Sequence, residues 1–179
     1  MNTNLYFKSI LEESIYINLN TINLNLEKTI LNIIKNNFEG KCSNNGYIKK
    51  DSIKLVSYSS GIISGNNIKF NIIFECFICY PTDGMIISCN VINVTKAGLR
   101  CELNENNSPL VVFVAKDHHY NNVEFNDIRE NDIIKVKILG QRFELNDNYI
   151  CVIAEFLEKI NNNNDNKKKI KKKLKIIND

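Results

Sequence analysis

The sequence predicts an α+β N-terminal half followed by a small all-β barrel, and three observations carry that reading. Within the first eighty residues, Leu26, Ile30, Ile33, Ile34 and Phe38 recur at intervals of three and four, an amphipathic helix among strand-like alternations. Pro81-Thr82-Asp83-Gly84 then ends a long alternating run with strong turn chemistry. Five short strand-like runs follow within roughly 75 residues, separated by turn residues and without a long helix, the pattern of a barrel.

Taken in order, Glu13–Leu19 alternates as a first strand. The Leu26–Phe38 helix takes Asn23 or Asn25 as its cap and has Gly40 just past its end. Tyr47–Ile48 and Ile53–Val56 are short strands. Ser59 to Asn67 is loop chemistry with two apolar residues, Ile62 and Ile63, at its centre. The strand Ile68–Tyr80 sets Ile68, Phe70, Ile72, Phe74, Cys76 and Ile78 on one face. The later strands are Met85–Val94, Leu99–Leu103, Leu110–Ala115, Ile133–Leu139 and Tyr149–Leu157, and the polar stretch His118–Asn131 interrupts them. The OB-fold is the commonest five-stranded solution of this kind. The expected organisation is an N-terminal domain over 1–80, a barrel over 81–160 and an Asn- and Lys-rich tail over 161–179, expected to be disordered.

The chain has 179 residues, and 44% are apolar, enough to bury a core. Asn (31) and Ile (28) make up a third of it, the bias of an AT-rich genome. The longest apolar run, Leu110–Ala115, is far short of a membrane span, and the N-terminus lacks a secretion signal. With six cysteines suited to a reducing compartment, the expectation is a soluble intracellular protein without a membrane partner. The formal charge of +3 is uneven: residues 161–179 carry seven Lys against two Asp, residues 1–80 are +2, and residues 81–160 are −4. Bulk charge therefore excludes a basic nucleic-acid-binding domain, so any such contact needs a local patch or the tail.

No catalytic constellation stands out. Cys76 and Cys79 form C-x-x-C, but strand positions three apart face opposite sides of a sheet, so they read as small core residues rather than metal ligands. The only imidazoles, His118 and His119, are adjacent, an arrangement poorly suited to joint action on one substrate atom. No phosphate-cradling loop or nucleophile elbow is present, and Asp127-Ile128-Arg129-Glu130 with Asp132 reads as solvated surface. No cofactor, metal or catalytic residue is expected. Composition and periodicity favour a binding module and name no ligand.

A family resemblance supplies more. Phe38-Glu39-Gly40-Lys41-Cys42, Gly46-Tyr47-Ile48 and the Ser60–Asn67 loop resemble the N-terminal half of the seventh-largest subunit of eukaryotic RNA polymerase II and of its archaeal counterpart. Phe77 to Gly84 resembles that family's passage into its OB-fold. Gly98, Val111–Val114 and Lys116 are similar to its second and third barrel strands. The resemblance covers roughly residues 5–157 in order and spacing. Asp117-His118-His119-Tyr120 and Gly140 to Asp147 look most like versions encoded by giant DNA viruses.

The resemblance implies a non-catalytic stalk subunit whose truncated RNA-recognition-like N-terminal fold, a helix on an antiparallel sheet, docks on the large polymerase core subunits. Its tip loop, matching Gly61, Ile62, Ile63, Ser64, Gly65 and Asn66, enters a pocket near the clamp, and a small helical partner like the fourth-largest subunit packs alongside. The OB-fold contacts nascent single-stranded RNA. Localisation would be a virus factory or virion for a viral chain and the nucleus for a cellular one.

From the residues, Gly61 and Gly65 bracketing Ile62–Ile63 fit either an apolar plug for a partner or a hairpin tip packed on its own sheet. An OB-fold binds across its second and third strands and between its first and fourth loops. That places Lys96, Arg100, Phe113, Lys116, Arg142 and Phe143 as candidate RNA contacts, with His118, His119 and Tyr120 adding stacking or phosphate contacts. Phe113 fits either a stacking ring or a core ring. The tail fits RNA binding, nuclear import or simple solubilisation. A free-standing OB-fold factor in translation or RNA decay is the alternative, and an enzyme stands third.

Overall fold

The computed structural model describes residues 5–21, 25–103 and 108–160. The tail 161–179 and the alternative helix cap Asn23 lie outside these residues. In chain order the elements are β1 (Tyr6–Asn18), α1 (Leu26–Phe38), β2 (Cys42–Ser43), β3 (Gly46–Ile48), β4 (Lys54–Tyr58), β5 (Ile62–Ser64) and β6 (Asn67–Cys79). Then come β7 (Ile86–Val94), β8 (Gly98–Glu102), β9 (Leu110–Ala115), a 3-10 turn at Lys116–His119, α2 (Val123–Asn126), β10 (Ile133–Arg142) and β11 (Ile150–Ile160).

Helix α1 forms where its apolar spacing predicts. The Asn25 side chain accepts a hydrogen bond from the Lys28 N–H at 3.1 Å, satisfying one orphan donor of the first turn, and Glu27 and Lys35 complement the helix dipole at its two ends. Its buried face, Ile30 and Ile34, packs on a sheet ordered β1-β6-β3-β2, with β4 and β5 also paired to β6. The β6 alternation works as predicted: Phe70, Ile72, Phe74, Cys76 and Ile78 are buried, and Leu11, Ile15 and Ile17 of β1 join them. Strand β1 is longer than its alternation suggests, pairing with β6 from Tyr6↔Cys79 to Asn18↔Asn67.

The later strands close into a five-stranded barrel in the order β10-β11-β9-β8-β7, in which β9 and β11 run parallel and the other pairs antiparallel. A barrel this narrow admits small inward residues, and Cys89, Val91, Cys101, Val112, Val136, Val152 and Ala154 supply them. Gly98 lets β8 begin tight against β9. Its φ of +149° disfavours any side chain, and a Cβ there would sit 2.1 Å from the Val114 carbonyl oxygen.

The polar stretch between β9 and β10 is a correction to the sequence reading. Phe125, Ile128 and His119 are buried, and the two apolar side chains join the barrel's core. Ile128 therefore leaves the solvated string in which it was placed. Its neighbour Asp132 is half-buried on Lys159, whose Nζ lies 2.5 Å from Oδ2. Burial pushes the Asp132 carboxyl up, but hydrogen bonds from Lys159 and the Arg129 N–H, with their charges, hold it below the usual range.

The two cores meet at one seam. Cys42, Tyr47 and Cys79 come from the sheet yet belong to the barrel's cluster. The Cys42 N–H donates to the Asp147 carbonyl at 2.7 Å, and the Cys42 carbonyl accepts from the Asn146 N–H at 2.8 Å. The β10–β11 loop thus adds a rung to the outer edge of β2. Among the described residues, no helix is long and apolar enough to cross a membrane.

Candidate docking tip and nucleic-acid interface

At the far end of the sheet, the predicted loop is a hairpin. β5 pairs with the start of β6 through Ile62↔Lys69, Ile63↔Ile68 and Ser64↔Asn67, leaving Gly65 and Asn66 as a two-residue turn. Gly65 takes the positive φ (+59°) that such a turn demands of its first position. Gly61 is required by packing, since a Cβ there would lie 2.5 Å from an Ile68 methyl group and 3.0 Å from the Phe70 ring. The hairpin is not folded onto its own core: Ile62 is 64% exposed and Ile63 73%. Cross-strand register sets Ile62, Lys69 and Tyr16 in one row, so exposed Tyr16 flanks the hairpin with Lys69 between it and Ile62. The place of Tyr16 beside the hairpin follows from the register of β1, which a single strand's alternation does not reveal.

On the barrel, Leu99 and Cys101 point inward and Arg100 and Glu102 outward. Phe113 faces solvent at 44% exposure and stands directly opposite Arg100 across β8 and β9. The core alternative for this ring is therefore excluded. Its other neighbour, Ile153 on β11, is also exposed, so the face offers an arginine, an aromatic ring and an aliphatic side chain in one row. Ile153 was missed from the sequence because β11 reads as a continuous apolar strand. Lys96 lies exposed in the β7–β8 turn, and the Lys116 N–H donates to the Ala97 carbonyl at 3.0 Å, so both lysines lie where β8 begins and β9 ends. Arg142, paired with Cys151 in the β10–β11 ladder, lies towards the opposite end of β9. Arg100 and Arg142 each carry a surface ion pair at 3.2 Å, to Glu102 and Glu144, which tempers the patch's positive charge.

Two predicted contacts are placed elsewhere. Phe143 is half-buried against the barrel core and meets Tyr80 edge-on at 6.1 Å, so it braces the junction instead of offering a free ring. His119 is buried, its ring stacked on Phe125 at 4.9 Å, and Nε2 accepts the Phe156 N–H at 3.1 Å. His118 and Tyr120 remain exposed beside it, lining a shallow concavity of about 530 Å³ with Asp117 and Asn122.

Burial lowers the His119 pKa, with His118 adding to the shift and Glu155 opposing it. Protonation would also turn Nε2 into a donor facing the Phe156 donor. Because the folded pKa lies below the unfolded value near 6.5, the unfolded chain takes up the proton first, and stability falls as pH drops through that value. The melting midpoint should fall between pH 7.5 and 5.5. His119→Gln, which can accept without titrating, should flatten that slope. An unchanged slope in the variant would refute the assignment.

Five of the six cysteines are buried, and Cys151 is partly exposed. Cys76 lies in the sheet core and Cys79 in the barrel cluster, on opposite faces. Burial, with Asp147 and Cys151 nearby, pushes the Cys42 thiol up to about 12, and burial with Glu75 pushes Cys76 to about 11. A hydrogen bond with Cys101, then burial, raises Cys89 as well. Such thiols stay protonated and unreactive at neutral pH. Among the described residues, no three His, Cys, Asp or Glu side chains gather as a metal site.

The geometry defines a class: a helix-backed sheet with a projecting apolar finger, locked at its other end to a closed five-stranded barrel with an Arg–Phe face. No family model matches the chain. It is 26% identical over 178 residues to a protein of Acanthamoeba polyphaga mimivirus that carries the provisional name DNA-directed RNA polymerase subunit L376, in an alignment covering 88% of this chain and 85% of that one.

Proposed function

We propose that this chain is a subunit of a DNA-directed RNA polymerase, of the stalk type represented by the seventh-largest polymerase II subunit and its archaeal counterpart. The similarity to the mimivirus protein across most of both chains carries this reading. The hairpin at Gly61–Asn66 docks in a pocket of the large core subunits, supported by two isoleucines left in solvent at the end of a sheet that has its own complete core. The barrel is an OB-fold, supported by its five-stranded closure and single parallel pair, and its β8–β9 face contacts emerging RNA. The protein acts inside the cell and is accessory rather than catalytic; a small helical stalk partner packs beside it. Binding to RNA is weak and independent of sequence, because a ring, a guanidinium and two lysines stack and neutralise without reading base edges.

The test is purification of a tagged chain from its native cells at high salt, followed by mass spectrometry. The two large catalytic polymerase subunits should be recovered with it. Their absence would favour the free-standing OB-fold factor. Deletion of residues 161–179 removes a local charge of +5. It should lower RNA affinity and flatten its salt dependence, and an unchanged slope would show that the tail does not touch RNA.

A further inference from the structure

The two sheets manage their edges differently. The barrel is closed and has none. In the N-terminal sheet, the outer edge of β2 is capped by the β10–β11 loop through the Cys42–Asp147 and Asn146–Cys42 hydrogen bonds. Strands β4 and β5 are short, at five and three residues. Strand β1 is thirteen residues long and stands at the end of the sheet order, bonded along its length to β6. Among the described residues, no strand pairs with its other side over residues 7–18. In an antiparallel strand, alternate residues turn N–H and C=O away from the neighbour, so β1 holds a long row of backbone groups ready for another strand.

The side chains along that edge specify the occupant. Ile10, Glu12, Ser14 and Tyr16 share the sheet face opposite α1, with Ile10 64% exposed and Tyr16 59%. Glu12 sits at the strand's midpoint, exposed and without an ion pair among the described residues. Among the described residues, the one ion pair on this strand, Lys8 to Glu75 at 2.8 Å, leaves Glu12 unmatched. A second copy of this chain is a poor fit, because two-fold antiparallel pairing centred on β1 sets Glu12 against its own equivalent. An extended segment with a basic residue at its centre and apolar residues on either side fits both the charge and the exposed apolar surface.

We infer that the free edge of β1 is a strand-addition site for a partner protein, which contributes an extended segment with lysine or arginine opposite Glu12 and apolar residues opposite Ile10 and Tyr16. This inference rests on the sheet's own edges and stands apart from the polymerase reading. The backbone of β1 supplies affinity, and the Ile10–Glu12–Tyr16 row supplies register and selectivity.

The test uses the full chain with a labelled nine-residue peptide of alternating valine and threonine with lysine at its centre. Binding should slow amide exchange within residues 8–16. It should weaken by about tenfold or more with Glu12→Lys, equivalent to at least about 1.4 kcal/mol, and vanish when alternate peptide amides are N-methylated. Three results would overturn the inference: slow exchange throughout β1 in the free chain, absence of peptide binding, or binding indifferent to N-methylation. Self-association that protects β1 would overturn the commitment to a foreign strand.

Discussion

Replacing both tip isoleucines with aspartate, Ile62→Asp with Ile63→Asp, should abolish recovery of the large polymerase subunits while leaving the fold intact. Both side chains are largely in water in the free chain, so the substitution removes little native packing. In a docked state they would be buried, and full burial of an isoleucine is worth about 1.5–3 kcal/mol. Losing two, and placing two carboxylates in an apolar pocket, should weaken association by about a hundredfold or more. Thermal melting of the purified chain controls for folding and should hardly move. Undiminished recovery of the polymerase would remove the finger from the docking surface.

The second large effect concerns RNA. Phe113→Ala should reduce affinity for single-stranded RNA by about 1–3 kcal/mol, the contribution of one base–aromatic stack, or roughly 5- to 150-fold. The ring is nearly half exposed and faces Arg100, so its loss should cost little stability. His119→Gln at neutral pH provides the contrast, because that side chain is packed under Phe125 and Phe156 and should leave RNA affinity alone. Fluorescence anisotropy with an unstructured oligonucleotide measures both. If His119→Gln weakened binding as much as Phe113→Ala, the β8–β9 face would not be the RNA surface.

What could be read from the sequence follows from where periodicity meets a core. Helix α1 and strand β6 repeat at 3.6 and 2 against one buried face, and their limits emerge within a residue or two of the prediction. The five barrel strands appear for the same reason, since turn residues punctuate each alternation. The first half of β1 was hidden because Phe7 and Ile10 on it are solvent-exposed, so its apolar pattern does not track a core. The β5 hairpin was hidden likewise: Ile62 and Ile63 project to opposite faces and both stay in water.

The misplaced site residues share another cause. His119 and Phe143 are held by contacts distant in sequence, Phe156 and Tyr80, which local composition does not encode. In the polar stretch, Phe125 and Ile128 stand three apart, a single helical turn of apolar signal too brief to outweigh the surrounding Asn and Asp. The grouping of Lys96 with Lys116 was legible only once the strands were assigned, because the β8–β9 pairing folds those residues onto one end of the barrel.

Site-specific photo-crosslinking from position 63 in the assembled native complex tests the central claim most directly. A crosslinking side chain at Ile63 should attach to one of the two large polymerase subunits, with the same finger free in the isolated chain. Crosslinks confined to this chain's own sheet, with the polymerase subunits unmodified, would contradict it.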